Sequence, residues 1–156
     1  DALNRYFSLI AEPISRYGGV ISQFQGDAVL ATFNLPKPDA DHAANAVRAA
    51  LAIQSVLNGV EFGDGIAFNT RVGINTGSVV GGLVGSGDRV AYTVHGDNVN
   101  LTARLEQLNK EYGTRIIVAQ STHDAVTAGS FNFRELGDVS VRGLHRPVRI
   151  YTVAVE

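Results

Sequence analysis

The stretch Tyr92-Thr-Val-His-Gly-Asp-Asn-Val-Asn-Leu-Thr-Ala-Arg-Leu105 runs from a predicted strand, through a glycine, into a predicted helix over residues 98–110. Apolar residues at helical spacing mark the buried side of that helix: Val99, Leu101, Leu105 and Leu108. Asn100 and Arg104 are four positions apart and therefore share another face. A planar guanidinium beside a carboxamide suits phosphate oxygens and a ribose ring oxygen. The alternative is an ordinary solvated face with a surface ion pair.

Outward from this stretch, helical and strand patterns follow one another in the order helix, strand, strand, helix, strand, strand, helix, strand. Helices are predicted around residues 3–17 and 43–57, the second capped by Asp39 or Asp41, with a short helix capped by Ser121. Strands are predicted at residues 20–24, 28–33, 68–75, 78–84, 89–94, 114–119, 131–141 and 148–155, with 78–84 pairing with 68–75. This order predicts an α+β fold, a ferredoxin-like α/β sandwich with a mainly antiparallel sheet.

Asp27 is a second candidate for chemistry. Gln25-Gly26-Asp27 lies between two apolar strands and is a plausible hairpin tip. A carboxylate held on a short hairpin suits Mg²⁺, which takes oxygen ligands and is usually bound by one or two carboxylates plus substrate phosphates. The alternative is a turn aspartate that bonds its own backbone.

Composition excludes several classes of protein. The 156 residues are 45% hydrophobic and 18% charged, which is typical of one globular domain spanning residues 1–156. A formal charge of −2 does not favour nucleic-acid binding. No apolar run has the roughly 18 residues of a membrane span, and no cysteine is available for disulfides or thiol chemistry. The chain has no methionine and opens inside a helical pattern, so we expect it to be a fragment of a longer protein, with any membrane attachment through segments outside it.

Other motifs give little support for other enzymes. Gly81-Gly-Leu-Val-Gly-Ser-Gly87 has no following lysine, so we interpret it as a turn between strands rather than a phosphate-binding loop. The four histidines lack the spacing of metal ligands: His42, His95, His123 and His145. Neither Ser78 nor Ser86 lies in the G-x-S-x-G pattern of serine hydrolases.

The motifs, in their order, resemble those of the class III nucleotidyl cyclases over nearly the whole chain. The most specific is Gly96-Asp-Asn-Val-Asn-Leu-Thr-Ala-Arg-Leu105. Shorter matching segments support it: Leu3-Asn-Arg-Tyr-Phe7, Tyr17-Gly-Gly-Val20, Phe24-Gln-Gly-Asp-Ala-Val-Leu-Ala31, Pro38-Asp-Ala-Asp-His-Ala43, Arg71-Val-Gly-Ile-Asn-Thr-Gly77, Tyr112-Gly-Thr-Arg-Ile116 and Val141-Arg-Gly-Leu144.

The resemblance implies an enzyme that cyclises ATP or GTP by attack of the ribose 3′-hydroxyl on the α-phosphorus, with release of pyrophosphate. Two Mg²⁺ or Mn²⁺ ions held by two aspartates would assist, and Asp27 corresponds to the second of these aspartates. Asn100 would orient the ribose and Arg104 would stabilise charge on the α-phosphate. The sites would form in a head-to-tail homodimer, so a monomer should be inactive. The need for ATP implies a cytoplasmic location.

Three departures from the family pattern affect the expected site. The first metal aspartate belongs to an upstream strand that this sequence lacks. The lysine that selects adenine is Gln23 here, and its usual partner is Thr93; a glutamine amide can donate and accept, and so can bind adenine or guanine. The lysine that binds triphosphate is Leu144, so Arg142, His145 or Arg146 would have to supply the charge.

Three hypotheses follow. The first is a metal-dependent cyclase that makes cyclic AMP, because Thr93 suits the adenylyl group better than the glutamate–cysteine pair typical of guanylyl members. The second is a degenerate homologue that binds nucleotide or dimerises for regulation. Retention of Asp27, Asn100 and Arg104 together argues against that hypothesis. The third is a purely structural dimerisation module.

Overall fold

The computed structural model describes residues 1–87 and 89–154, without the side chains of residues 86 and 89–91. Two compact units are present in the described chain. Asp1–Thr70 with Gly81–Val94 forms one, here called the hairpin unit. Arg71–Val80 with the described part of His95–Glu156 forms the other, here called the sheet unit.

The hairpin unit contains two helices, α1 (Ala2–Arg16) and α2 (His42–Leu57), and the strand pair β1 (Val20–Gln25) with β2 (Ala28–Thr32). It also contains the strand pair β4 (Val80–Ser86) with β5 (Arg89–His95), except for the end residues Val80 and His95. Helix α1 begins at Asp1, whose carboxylate accepts hydrogen bonds from the backbone of Leu3 and Asn4. The hydrophobic core of the hairpin unit includes residues of both helices: Tyr6, Ile10, Ile14, Ile53, Leu57 and Phe62. The periodicity of α1 thus reflects burial against α2, as the sequence predicts.

Helix α2 is not capped by the side chain of its N-cap residue. Asp41 occupies the N-cap position but its side chain makes no capping hydrogen bond. Asp39 instead accepts from the Asp41 amide at 2.9 Å and from Asn45 Nδ2 at 2.8 Å. These bonds, first from Asn45 and then from Asp41, hold the pKa of Asp39 below its ordinary value. The two aspartates predicted as alternatives therefore share the end of the helix.

The sheet unit is built on a four-stranded sheet in the order β3-β6-β8-β7. Its elements are β3 (Val72–Ile74), α3 (Asp97–Tyr112), β6 (Ile116–Ala119), α4 (Gln120–Ala125), β7 (Phe133–Val139) and β8 (Val148–Val153). β3 runs parallel to β6, whereas β6 pairs with β8 and β8 with β7 in antiparallel fashion. The fold is therefore a mixed α+β arrangement in which antiparallel pairs dominate, as predicted.

Helix α3 lies very close to β3. A Cβ placed on Gly73 would be 2.5 Å from the Glu106 backbone nitrogen and 2.7 Å from the Thr102 carbonyl oxygen, so only glycine fits. Below the helix lies a second core: Leu101, Leu105, Leu108, Ile117, Ala119 and Ile150. This packing fixes which face of α3 points away from the sheet.

Some local expectations were wrong. The strand predicted over residues 68–75 is confined to Val72–Ile74 and pairs with β6, and β4 pairs with β5. Ser121 does not cap α4, because Ala119 occupies the N-cap and Ser121 lies within the first turn. Val99 is only half-buried, and the fourth buried position of α3 is Asn109. The strand-pairing error concerns a partner remote in sequence, which local periodicity does not specify.

Candidate active site

The outer face of α3 presents Asn100 and Arg104. Asn100 is exposed, and its side chain makes no hydrogen bond to any other described residue. The Arg104 guanidinium has one neighbouring charge, Glu111, with Nη2 and Oε1 3.8 Å apart and side chains 42% and 61% exposed. Such a surface pair contributes at most about 1 kcal/mol and is too long for a hydrogen bond. Both groups are therefore available to a ligand, although the surface ion pair considered from sequence is also present.

The inner face of the same helix carries polar side chains that are all engaged. Thr102 donates to the Asn98 carbonyl, and Glu106 accepts from Arg71 at 2.9 Å. Asn109 is 1% exposed, donates to the Val72 carbonyl and accepts from Thr114. Polar residues thus occur on both sides of α3, but only those facing away from the sheet keep their hydrogen-bonding groups free.

A network of polar side chains at the start of α3 could not be predicted from the sequence. Asn75, which follows β3, donates through Nδ2 to the Asn98 carbonyl at 3.1 Å and to Asn98 Oδ1 at 3.0 Å. Asn98 in turn donates to the Ser78 carbonyl at 2.8 Å, and Ser121 donates to Asn75 Oδ1 at 3.1 Å. The residues belong to segments far apart in the chain. Their only signal in the sequence is that Asn75 and Asn98 stand inside two of the motifs.

Asp27 lies at the tip of the β1–β2 hairpin. Gly26 adopts a φ of +61°, which the tight turn requires and which glycine tolerates. The Asp27 carboxylate is exposed and accepts no hydrogen bond from the described residues. The alternative interpretation, in which Asp27 bonds its own backbone, is therefore not what the structure shows.

Gln23 and Thr93 lie on strands that are neighbours at one point. The Ser22 hydroxyl donates to the Tyr92 carbonyl at 3.1 Å, and these residues directly precede Gln23 and Thr93. The β1–β2 register shifts between Ile21 and Gln23, so Ser22 is the extra residue of a bulge. The side chains of Gln23 and Thr93 are half-buried, and neither has a hydrogen-bond partner among the described residues.

Arg142 lies in the turn between β7 and β8, where Gly143 has a φ of +88°. The side chains of Arg142, His145 and Arg146 are all exposed, and none forms an ion pair with another described residue. Leu144, at the position of the family's lysine, is 38% exposed. The turn therefore carries two guanidinium groups and an imidazole with no ion-pair partner among the described residues, and it does not single out one of them.

The candidate residues divide between the two units. Asp27, Gln23 and Thr93 belong to the hairpin unit, and Asn100, Arg104 and Arg142 belong to the sheet unit. Among the described residues, no three acidic or histidine side chains cluster as a ready-made metal cage. One exposed, unpartnered carboxylate still fits the chemistry of Mg²⁺, which takes its remaining ligands from water and phosphate oxygens.

The sequence matches a family model over residues 1–155, described as the adenylate and guanylate cyclase catalytic domain. This chain belongs to the class III cyclases. Adenylate cyclase 1 of Rhizobium meliloti (strain 1021) is 40% identical over 155 residues, 97% of the present domain and 23% of that protein. The cyclase domain thus spans about a quarter of the length of this relative.

Solved structures of both specificities resemble the cyclase domain. The guanylate cyclase domain of RhGC from Catenaria anguillulae, crystallised with GTP, matches with a TM-score of 0.85 and 27% identity, covering 99% of this chain and 82% of that one. The adenylyl cyclase CyaB from P. aeruginosa matches with a TM-score of 0.82 and 29% identity, covering 100% and 82%. In the described part of the cyclase domain, every helix is too short or too polar to cross a lipid bilayer.

Proposed function

We propose that this domain converts ATP to 3′,5′-cyclic AMP and pyrophosphate, as the output of a signalling protein. The observation that carries the proposal is the set of polar side chains at the motif positions that form no hydrogen bond to other described residues, with Asn100 and Arg104 on one face of α3 and Asp27 at the tip of the β1–β2 hairpin. Five of these side chains have no partner among the described residues, and Arg104 has only the 3.8 Å surface ion pair with Glu111, so all six are accessible to a ligand. The match runs through both units, so we propose one catalytic domain over residues 1–156.

The reaction forms a bond between the ribose O3′ and the α-phosphorus and breaks the bond from that phosphorus to the bridging oxygen of the β-phosphate. The O3′ proton is released and pyrophosphate carries away the bonding electron pair. Asn100 would hold the ribose so that O3′ lies in line with the leaving group, since positioning supplies much of the rate in phosphoryl transfer. Arg104 would bind the α-phosphate oxygens, where negative charge grows.

Asp27 would hold divalent cations, Mg²⁺ or Mn²⁺, together with the triphosphate and an upstream aspartate. Bound there, such ions would act as Lewis acids that neutralise phosphate charge and lower the pKa of the attacking hydroxyl. Arg142, with His145 or Arg146, would contact the outer phosphates in place of the missing lysine. A guanidinium suits this task because it can bind two oxygens at once.

ATP is the proposed substrate and GTP is the alternative. Two of the proteins reported above are adenylate cyclases, and Thr93 can accept a hydrogen bond from the adenine amino group. Gln23 does not discriminate, because its amide can present either a donor or an acceptor. The similarity to a GTP-bound guanylate cyclase domain keeps GTP as the second candidate.

Turnover assays of the full-length protein test this function. With Mn²⁺ we expect cyclic AMP from ATP, at a higher kcat/KM than cyclic GMP from GTP. Arg104→Ala should lower kcat far more than it weakens ATP binding measured by calorimetry. If neither nucleotide is cyclised while ATP still binds, the domain is a degenerate nucleotide-binding homologue. If neither nucleotide binds, the structural dimerisation hypothesis gains support. We place the reaction in the cytoplasm, where ATP is supplied.

We further propose that two copies pair head to tail, so that Asp27 of one copy works with Asn100 and Arg104 of the other. Strand β4 supports this, because it exposes apolar side chains that water disfavours: Leu83 is 73% exposed, Val84 59% and Val80 60%. Leu83→Lys should shift the protein toward monomer in analytical ultracentrifugation and lower its turnover. Ile66→Lys, at a loop residue that is 48% exposed, should do neither. Equal effects of the two changes would argue against this surface.

A further inference from the structure

We propose that Asn75 is a positioning residue that holds the first turn of α3, and with it Asn100 and Arg104, in the orientation that catalysis needs. The proposal rests on the proposed function, since it assigns Asn75 to the same reaction. Asn75 would touch neither substrate nor metal. It would act through Asn98, two residues before Asn100.

The contacts of Asn75 join three segments through one amide. Its Nδ2 donates to both the carbonyl and the side-chain oxygen of Asn98, and its Oδ1 accepts from Ser121 in the first turn of α4. The end of β3, the start of α3 and the start of α4 therefore meet at this side chain. An amide is the group that can donate twice and accept at the same time.

The first turn of α3 has little else to hold it. Its N-cap, Gly96, has no side chain and adopts a φ of +130°. Glycine offers no side-chain acceptor to the backbone N–H groups of the first turn, whereas serine, threonine, aspartate or asparagine at this position would. Here Asn98 is held by hydrogen bonds to residues outside α3: it accepts from Asn75 and donates to the Ser78 carbonyl. Asn75 therefore anchors the first turn through the carbonyl and the side chain of Asn98, a contact different from that of a cap, which accepts from backbone N–H groups.

Close packing also restricts the position of the Asn98 side chain. A Cβ on Gly77 would collide with the Asn98 side chain, so Asn98 lies tight against the backbone of the turn after β3. Next to it, Thr76 Oγ1 and the fully buried Thr122 hydroxyl are 2.8 Å apart. Because Asn100 is two residues beyond Asn98 and Arg104 is one turn further, a rotation of the first turn would move both groups. A misplacement of about 1 Å can cost on the order of 100-fold in rate.

The buried leucines of α3 anchor the helix independently of Asn75. Leu105 is fully buried and Leu101 is 7% exposed. Loss of the Asn75 contacts should therefore leave the domain folded but alter the orientation of the first turn. This separates a positioning role from a purely structural one.

The test uses Asn75→Asp in the full-length protein, which keeps the size and the acceptor of the side chain but removes the donor to Asn98. We expect kcat to fall about 10- to 100-fold with KM for ATP within about threefold. Amide hydrogen exchange over residues 97–102 should be faster in the variant without nucleotide. The matched control is Asn69→Asp, at an exposed asparagine with no side-chain partner among the described residues, and it should behave as wild type.

A double-mutant cycle with Arg104→Lys, which retains a cation, identifies the route of the effect. Positioning predicts that the combined loss in kcat is smaller than the product of the separate losses. Multiplicative losses, an unchanged kcat in Asn75→Asp, or unchanged exchange over residues 97–102 would each overturn the inference. If Arg104→Lys by itself leaves kcat unchanged, the proposed function has failed, whatever Asn75 does.

Discussion

The two faces of helix α3 carry similar residues in different surroundings. On the inner face, Asn109 is buried and each end of its amide has a partner, whereas on the outer face Asn100 is exposed with none among the described residues. Both are asparagines on one helix, so residue type alone does not separate them. The difference teaches that residue type does not show whether a polar side chain is engaged in the fold, and that only an unengaged side chain at a motif position can be proposed to contact substrate.

The largest expected effect is on catalysis, at the outer face. Asn100→Ala should lower kcat for cyclic AMP formation by about 100-fold, in line with the loss of one transition-state hydrogen-bond donor. The free energy of unfolding in urea should remain within about 0.5 kcal/mol of wild type, because the side chain has no partner in the folded chain. A stability loss equal to that of an inner-face variant would break the comparison.

The free carboxylate of Asp27 extends the comparison to the hairpin unit. Asp27→Asn should raise the Mn²⁺ concentration for half-maximal turnover by at least about 10-fold, since loss of even an outer-shell partner of a metal costs about 10- to 100-fold. The melting temperature without metal should not change. Asp64→Asn, at another exposed turn aspartate in the same unit, is the control and should leave the metal dependence unaltered.

The inner face should show the opposite behaviour. Asn109→Ala leaves the Val72 carbonyl and the Thr114 hydroxyl without their partner, and an unsatisfied buried group costs about 1–3 kcal/mol. We expect that loss in urea unfolding, with kcat per folded molecule close to wild type. A fall in kcat as large as that of Asn100→Ala, measured on folded protein, would contradict the division between the two faces.

The smallest effect concerns Asp39, a half-buried carboxylate that accepts hydrogen bonds in the folded chain. Hydrogen bonds from Asn45 and Asp41 hold the pKa of Asp39 below its ordinary value of 3.8, so the folded state favours the carboxylate. This stabilisation is fully present above the pKa of the unfolded chain and is lost as pH falls through the lowered pKa. Asp39→Ala should lower the melting temperature by a few degrees at pH 7, and the difference should shrink below about pH 4. A difference independent of pH would exclude the charge as its cause.

Most elements of the fold could be predicted from sequence, because their signals are local. The apolar spacing of residues 3–17 predicts α1, and glycine at positions 18 and 26 marks turns that the structure places there. Strand partners could not be predicted in the same way. The pairing of β3 with β6 joins residues more than 40 positions apart. The sequence instead favoured a hairpin of residues 68–75 with the adjacent strand at 78–84, because those segments are close in the chain.

Sequence by itself determined the family, the α+β class, and the residue types offered at the candidate positions, since motifs and periodicity are properties of contiguous segments. Only the tertiary structure decided which polar side chains are free. Asn75, Asn98 and Asn109 are bound by groups from other segments, whereas Asp27, Asn100 and Arg104 form no hydrogen bonds to other described residues. A hydrogen bond between remote segments forms only where the fold brings those segments together. The packing of β3, α3 and α4 therefore determines which of these side chains have partners.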